Sequence, residues 1–178
     1  MRNIITIFTL LFTAGIAQEG KTDSTLHREP VRFSKEMRGT FHGTKMNYLA
    51  SHYETILYEK DDYNKPMASI FVTEYRSVKN DPDRPVIFIF NGGPGSASLW
   101  LHMGVMGPKV VKVPSDATDD GSPPYELVDN PLSPLDVADL VCIDPIGTGY
   151  SLAMGDHDNK RSLRMWADTP RMLNCFRV

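Results

Sequence analysis

Val86-Ile87-Phe88-Ile89-Phe90 runs without a break into Asn91-Gly92-Gly93-Pro94-Gly95-Ser96-Ala97-Ser98. Five apolar residues with no polar alternation read as a strand covered on both faces, as in an α/β sheet. The glycines that follow let successive backbone N–H groups point into one concavity, in conformations that other residues avoid. Pro94 fixes the next φ and removes a donor. Ser96 or Ser98 is placed to cap a helix expected over Leu99 to Met106, which Gly107-Pro108 stops. Such a loop is a rigid set of donors able to hold an oxyanion, the charge that develops on the former carbonyl oxygen during acyl transfer. A tight strand-to-helix turn, with glycines for geometry alone, is the plainer alternative.

Upstream, Tyr53, Thr55 and Leu57 alternate with Glu54, Ile56 and Tyr58, which predicts a half-buried strand with breaks at Gly39 and Gly43. Glu59 to Pro66 is a turn by composition, and Met67 to Tyr75 is a second strand that makes an antiparallel hairpin with the first. Downstream, Lys109 to Tyr125 is loop-like, with Asp116, Asp119 and Asp120 in it. Ser133-Pro134 is a helix start. Ala138 to Ile143 is a second buried strand, followed by the turn Asp144-Pro145-Ile146-Gly147-Thr148-Gly149-Tyr150-Ser151. The order predicts an α/β fold: a mixed sheet with N-terminal antiparallel strands.

The 178 residues carry 19 Lys and Arg against 22 Asp and Glu, a net charge of −3. No basic excess points to a nucleic-acid partner. Two cysteines, Cys142 and Cys175, exclude a disulfide-dense scaffold, and Cys142 reads as a small core residue. His27, His42, His52 and His157 have no metal spacing, and the three aspartates lack a calcium loop's closing glutamate. No cofactor and no metal is expected. Met1-Arg2, the apolar run Ile4 to Ala17 and the polar Gln18-Glu19-Gly20 form a secretory signal pattern. The run is too short for stable membrane insertion, which takes about 20 apolar residues. The expected organisation is a signal peptide at 1–17, a polar lead-in at 18–37, a domain at 38–151 and a divergent tail at 152–178. A secreted or periplasmic location follows from the signal.

The Asn91-Gly92-Gly93-Pro94-Gly95 segment resembles that of the serine carboxypeptidases (peptidase family S10). Met106-Gly107-Pro108, the Asn130-Pro131-Leu132-Ser133 segment and the Asp139 to Ser151 strand and turn resemble the family's later motifs, in the same order. The resemblance covers roughly Arg38 to Ser151 and is strongest from Pro85 onward. It implies a partial α/β-hydrolase fold and release of C-terminal amino acids from peptides. It also implies that Gly93 supplies an oxyanion-hole N–H, that Gly92 allows close approach, and that Asn91 helps bind the C-terminal carboxylate of a peptide. Some members carry a glutamate in the following helix; Val105 stands near that place here.

The family's nucleophile lies in a Gly-x-Ser-x-Gly elbow, with Asp and His later in the chain. No such elbow occurs in these 178 residues, so the sequence reads as truncated before the nucleophile strand, through a shortened or frame-shifted frame. A chain without the triad is expected to be inactive alone, and a missing C-terminal half is its expected partner. A non-catalytic peptide- or anion-binding module and a gene remnant are the alternatives. The strand Leu140 to Ile143 is expected to present the open sheet edge. Ser151, in Gly149-Tyr150-Ser151, is a near miss to the elbow. Ser96 or Ser98 with His102 is a second candidate pair, with no orienting acid in sight.

Overall fold

Strands β1 (Arg32–Phe41) and β2 (Thr44–Glu59) pair antiparallel from Arg32↔Tyr53 to Phe41↔Thr44. They are joined by His42-Gly43, whose φ angles of 46° and 82° make the two-residue turn that matches strand twist. This is a computed structural model, and it describes residues 29–59, 62–79, 81–92, 95–113 and 123–155. The signal run, Gly93, Asp116, Asp119, Asp120, Cys175 and the tail beyond residue 155 lie outside the described residues. β1 begins at Arg32, inside the stretch expected as lead-in. Gly39 is no break either. It stays in β1, where a Cβ would meet the Phe41 ring at 2.4 Å.

β2 pairs antiparallel with β3 (Asp62–Ser77), from Tyr48↔Ser77 to Leu57↔Ala68. The expected turn at Glu59 to Pro66 is largely absorbed into these strands through an irregular register at Tyr58 and Glu59. The apolar run becomes β4 (Val86–Ile89). Next come a single α-turn, α1 (Leu99–Leu101), and a π-helical turn over His102–Met106, which lies where the helix was expected. The stretch expected as loop, Lys109 to Tyr125, opens with a strand, β5 (Lys109–Val111), which pairs antiparallel with β6 (Leu127–Asp129) just beyond it. Pro134–Asp136 is one 3₁₀ turn. β7 (Asp139–Ile143) follows, and β8 (Leu152–Ala153) pairs with β3.

The main sheet runs β1-β2-β3-β7-β4, with β7 antiparallel to β3 and parallel to β4. This corrects the expected edge. β7 is paired on both sides and all five of its residues are buried. The chain leaves β4, passes through the β5–β6 hairpin and returns on the far side of β4 from its outer edge. β4 therefore ends the described sheet, and Val86 is 48% exposed. The both-face coverage expected of this run belongs to β7 more than to β4.

Alternation sorts the core onto the two faces of the sheet. Val141, Ile143, Ile70, Val72 and Leu57 pack on one face, with Phe88 and Phe90 against them. Leu140, Cys142 and Ile89 face the other way, with Phe41, Tyr48 and Leu135. Below the sheet, Arg84 Nε donates to Asp139 Oδ1 at 2.7 Å, and Asp139 Oδ1 also accepts from Ser77 N at 3.0 Å. That pair clamps the starts of β4 and β7 to the end of β3. Among the described residues no helix is long and apolar enough to cross a membrane.

Candidate functional site

β4 and β7 run parallel, so their C-terminal ends lie side by side. The loop from Asn91 and the turn from Asp144 leave from these ends. In open α/β sheets the crevice outside the carboxyl ends of the strands is where ligands bind.

The loop is braced from within. Asn91 is buried; its Nδ2 donates to Ser96 Oγ at 3.3 Å and its Oδ1 accepts from Leu101 N at 3.2 Å. Both ends of this amide thus hold the loop to the turn that follows. Gly95 has φ +92°, a conformation that costs other residues strain. Gly92 is exposed, and a Cβ added there would meet nothing within 4 Å. Its missing side chain therefore serves nothing inside the described residues, and the space above it is open. Gly93 lies between the described residues.

Ser98 was, with Ser96, one of two expected helix caps. Ser98 occupies the cap position but its side chain makes no capping bond. Instead, Ser98 N and Ser98 Oγ both donate to Asp144 Oδ1, each at 2.8 Å. The Asp144 carboxylate is a charged acceptor, and such bonds are roughly twice as strong as neutral ones. Ser133 departs from its expected role in the same way: its Oγ donates to Met106 O at 2.7 Å, with no capping bond. Asn130 Nδ2 donates to both Val105 O and Gly107 O at 2.8 Å. The Asn-Pro-x-Ser segment thus satisfies the carbonyls that the π-helical turn leaves open at its end. At Gly107 a Cβ would lie 2.4 Å from His102 O, so only glycine fits there.

The Asp144 turn is equally tied. Ser151 is fully buried. Its Oγ donates to Asp144 O at 2.7 Å and accepts from Phe71 N at 2.8 Å. A serine so placed bridges β3 to the turn and offers no accessible oxygen, so Ser151 has no nucleophile geometry. Ser98 and His102 form no dyad: the His102 ring bonds through Nε2 to Tyr75 Oη at 2.6 Å. Burial lowers the His102 pKa, Asp144 opposes this, and His52 adds to it. Burial pushes the Cys142 thiol up to about 12, Asp144 adding to the shift. Cys142 is a free, buried core thiol, as its sequence setting suggested. No group of three or more His, Cys, Asp or Glu among the described residues is placed to hold a metal. The Asp144 tie was not visible in the sequence, although the Asp144-Pro145-Ile146-Gly147 turn that carries it was.

The family model for serine carboxypeptidase matches residues 53–176, well over half of the chain. The chain belongs to the serine carboxypeptidase family. The match runs past Ser151 through most of the stretch expected as a divergent tail. Among solved structures, the chain is similar to the prohormone-processing carboxypeptidase Kex1 of Saccharomyces cerevisiae. The identity is 27% over 58% of this chain and 21% of that one, with a TM-score of 0.40. The chain therefore spans about a fifth of that carboxypeptidase's length. No curated protein matches.

Proposed function

We propose that the chain from about Arg38 onward is the N-terminal part of a secreted serine-type carboxypeptidase of α/β-hydrolase fold, whose reaction is the release of C-terminal amino acids from peptides. The family match carries this reading, together with the Asn91-Gly92 loop at the C-terminal end of a parallel strand. In it, the backbone N–H of Gly93 stabilises the oxyanion, Gly92 allows the loop's close approach, and Asn91 helps bind the substrate's terminal carboxylate as a neutral donor. The Asn91 amide also gives one donor and its acceptor to the loop itself. The apolar run Ile4 to Ala17 acts as an export signal in this reading.

Hydrolysis also needs a nucleophile, a base and an orienting acid. Residues 1–178 hold no Gly-x-Ser-x-Gly, and the described serines nearest the site are engaged in structure. The reading therefore assigns the triad to sequence outside these residues, on a further part of the sheet.

The test is an assay with N-blocked dipeptides and a fluorophosphonate probe, on the intact gene product and on residues 18–178 alone. Release of the C-terminal residue by the intact product, with neither turnover nor labelling of residues 18–178, is expected. Turnover by residues 18–178 that a Ser98→Ala change abolishes would overturn the assignment of the nucleophile. Failure of the intact product on every blocked dipeptide would overturn the peptidase reading itself.

A further inference from the structure

Asp144 is the point where the two loops of the site are joined, and its position is unusually well determined. Its backbone N donates to Phe71 O at 3.1 Å, and its carbonyl accepts from Ser151 Oγ, which also takes the Phe71 N–H. The residue is thereby fixed to β3, a strand paired with neighbours on both sides. From this footing the carboxylate reaches across to the other loop. Oδ1 takes both Ser98 N and Ser98 Oγ. Oδ2 lies where a Cβ on Gly149 would approach to 2.3 Å, and Gly149 sits at φ +54°. Gly149 thus leaves space for the acid as well as turning the chain.

On the receiving side, Ser98 is buried and ends the Asn91–Ser98 loop. The loop's other end is the end of β4. Asn91 ties the loop to Ser96 and Leu101, neutral bonds of 3.2–3.3 Å within one segment. The Asp144–Ser98 pair is shorter, is charged, and connects to a different strand. It decides where the loop sits relative to β7, while the Asn91 bonds decide only its internal shape. Oxyanion donors work through preset placement, and an error of about 1 Å costs on the order of 10²-fold in rate.

We infer that Asp144 is a positioning residue for the Asn91–Ser98 loop: its carboxylate, engaged by Ser98 and seated against Gly149, sets where that loop stands beside the end of β7, without touching substrate. The inference rests on the proposed peptidase reading for its kinetic consequence, and on the Asp144–Ser98 bonds for the tether.

The test uses the intact gene product with Asp144→Ala, Asp144→Asn and Ser98→Ala. Hydrogen exchange is followed at the amides of Ser98 and Leu101, and at Val72 and Val141 in the β3–β7 ladder. Asp144→Ala is expected to speed exchange at Ser98 and Leu101 while the ladder amides keep their rates. It should lower kcat by about 10²-fold with little change in KM. Asp144→Asn keeps one carbonyl oxygen for Ser98 and should recover much of both. Ser98→Ala, which removes only the Oγ bond, should fall between. Unchanged exchange at Ser98 in Asp144→Ala would overturn the tether. Equal acceleration of loop and ladder would reduce Asp144 to a general stability role and overturn the inference, as would a rise in KM at constant kcat. If the parent protein hydrolyses no peptide, the peptidase reading fails, and the exchange measurement still decides whether Asp144 holds the loop.

Discussion

Tyr75 Oη and His102 Nε2 lie 2.6 Å apart, which locks the π-helical turn to the middle of the sheet. Burial raises the Tyr75 pKa far above its ordinary value, with Cys142 and Tyr48 adding to it. The phenol therefore stays protonated and donates, and His102 accepts as the neutral ring. Because burial depresses the folded-state pKa of His102 below 6.5, the unfolded chain binds more protons than the folded one just below that pH. Stability therefore rises with pH in this window: the contribution is present above pH 6.5 and is lost as pH falls toward the folded value. One proton bounds the slope at about 1.4 kcal/mol per pH unit. Urea unfolding at a series of pH values should show a flatter dependence below pH 6.5 in His102→Gln. Identical slopes in parent and variant would assign the dependence to other groups.

Ser151→Ala should destabilise the protein by about 1–3 kcal/mol, because it strands the Phe71 N–H and the Asp144 carbonyl at a fully buried position. Chemical denaturation gives the value. A change within experimental error would mean that water takes over both partners.

Arg84→Ala leaves Asp139 as a charge with only the Ser77 amide to answer it, with both side chains of the pair 12–14% exposed. Removing one partner of a buried pair costs about 3–5 kcal/mol. Arg84 also donates to the carbonyls of Leu135 and Asp136, so lysine at this place should recover only part of the loss. Thermal melts of the alanine and lysine variants test the order.

Gly149→Ala combines a left-handed backbone with a Cβ 2.3 Å from the Asp144 carboxylate. The acid must move, and the Ser98 bonds with it. Gly155→Ala shares the positive φ, +62°, but its Cβ would meet only Pro66 O at 3.3 Å. Melting temperatures should fall further for the Gly149 variant, and an equal fall would assign the whole cost to backbone conformation.

Cys142 should resist iodoacetamide at pH 8 in the folded protein and react once the chain is unfolded. Its thiol is buried and held at about 12, and the thiolate is the species that reacts. Fast alkylation under native conditions would contradict the packing of β7.

Much of this architecture is legible in the residues. Val86 to Phe90 and Ala138 to Ile143 declare buried strands because they are apolar without alternation, and they became β4 and β7. The β2–β3 hairpin and the stop at Gly107-Pro108 were equally visible. The edge of the sheet was not, since strand order depends on a crossover and no local pattern reports it. The β5–β6 hairpin escaped because each strand is three residues long. The caps expected at Ser98 and Ser133 were misread for one reason. Local propensity has each Oγ accept from the nearest backbone amide, whereas the fold turns each Oγ to donate to an acceptor on a distant segment, Asp144 Oδ1 and Met106 O. The Asn91–Ser98 loop could be found by its glycines. The acid that anchors it could not, because 46 positions separate Ser98 from Asp144.

The insertion of β7 between β3 and β4 also dictates an order of events as the chain leaves the ribosome. β1, β2 and β3 can zip together as they emerge, each finding its neighbour already made. β4 comes next and finds no place beside β3, for that seat belongs to residues not yet synthesised. Its sticky apolar run must wait, with the glycine loop dangling behind it, until Asp139–Ile143 arrives to bridge the gap. A nascent chain paused between β4 and β7 is therefore the one most in need of a chaperone.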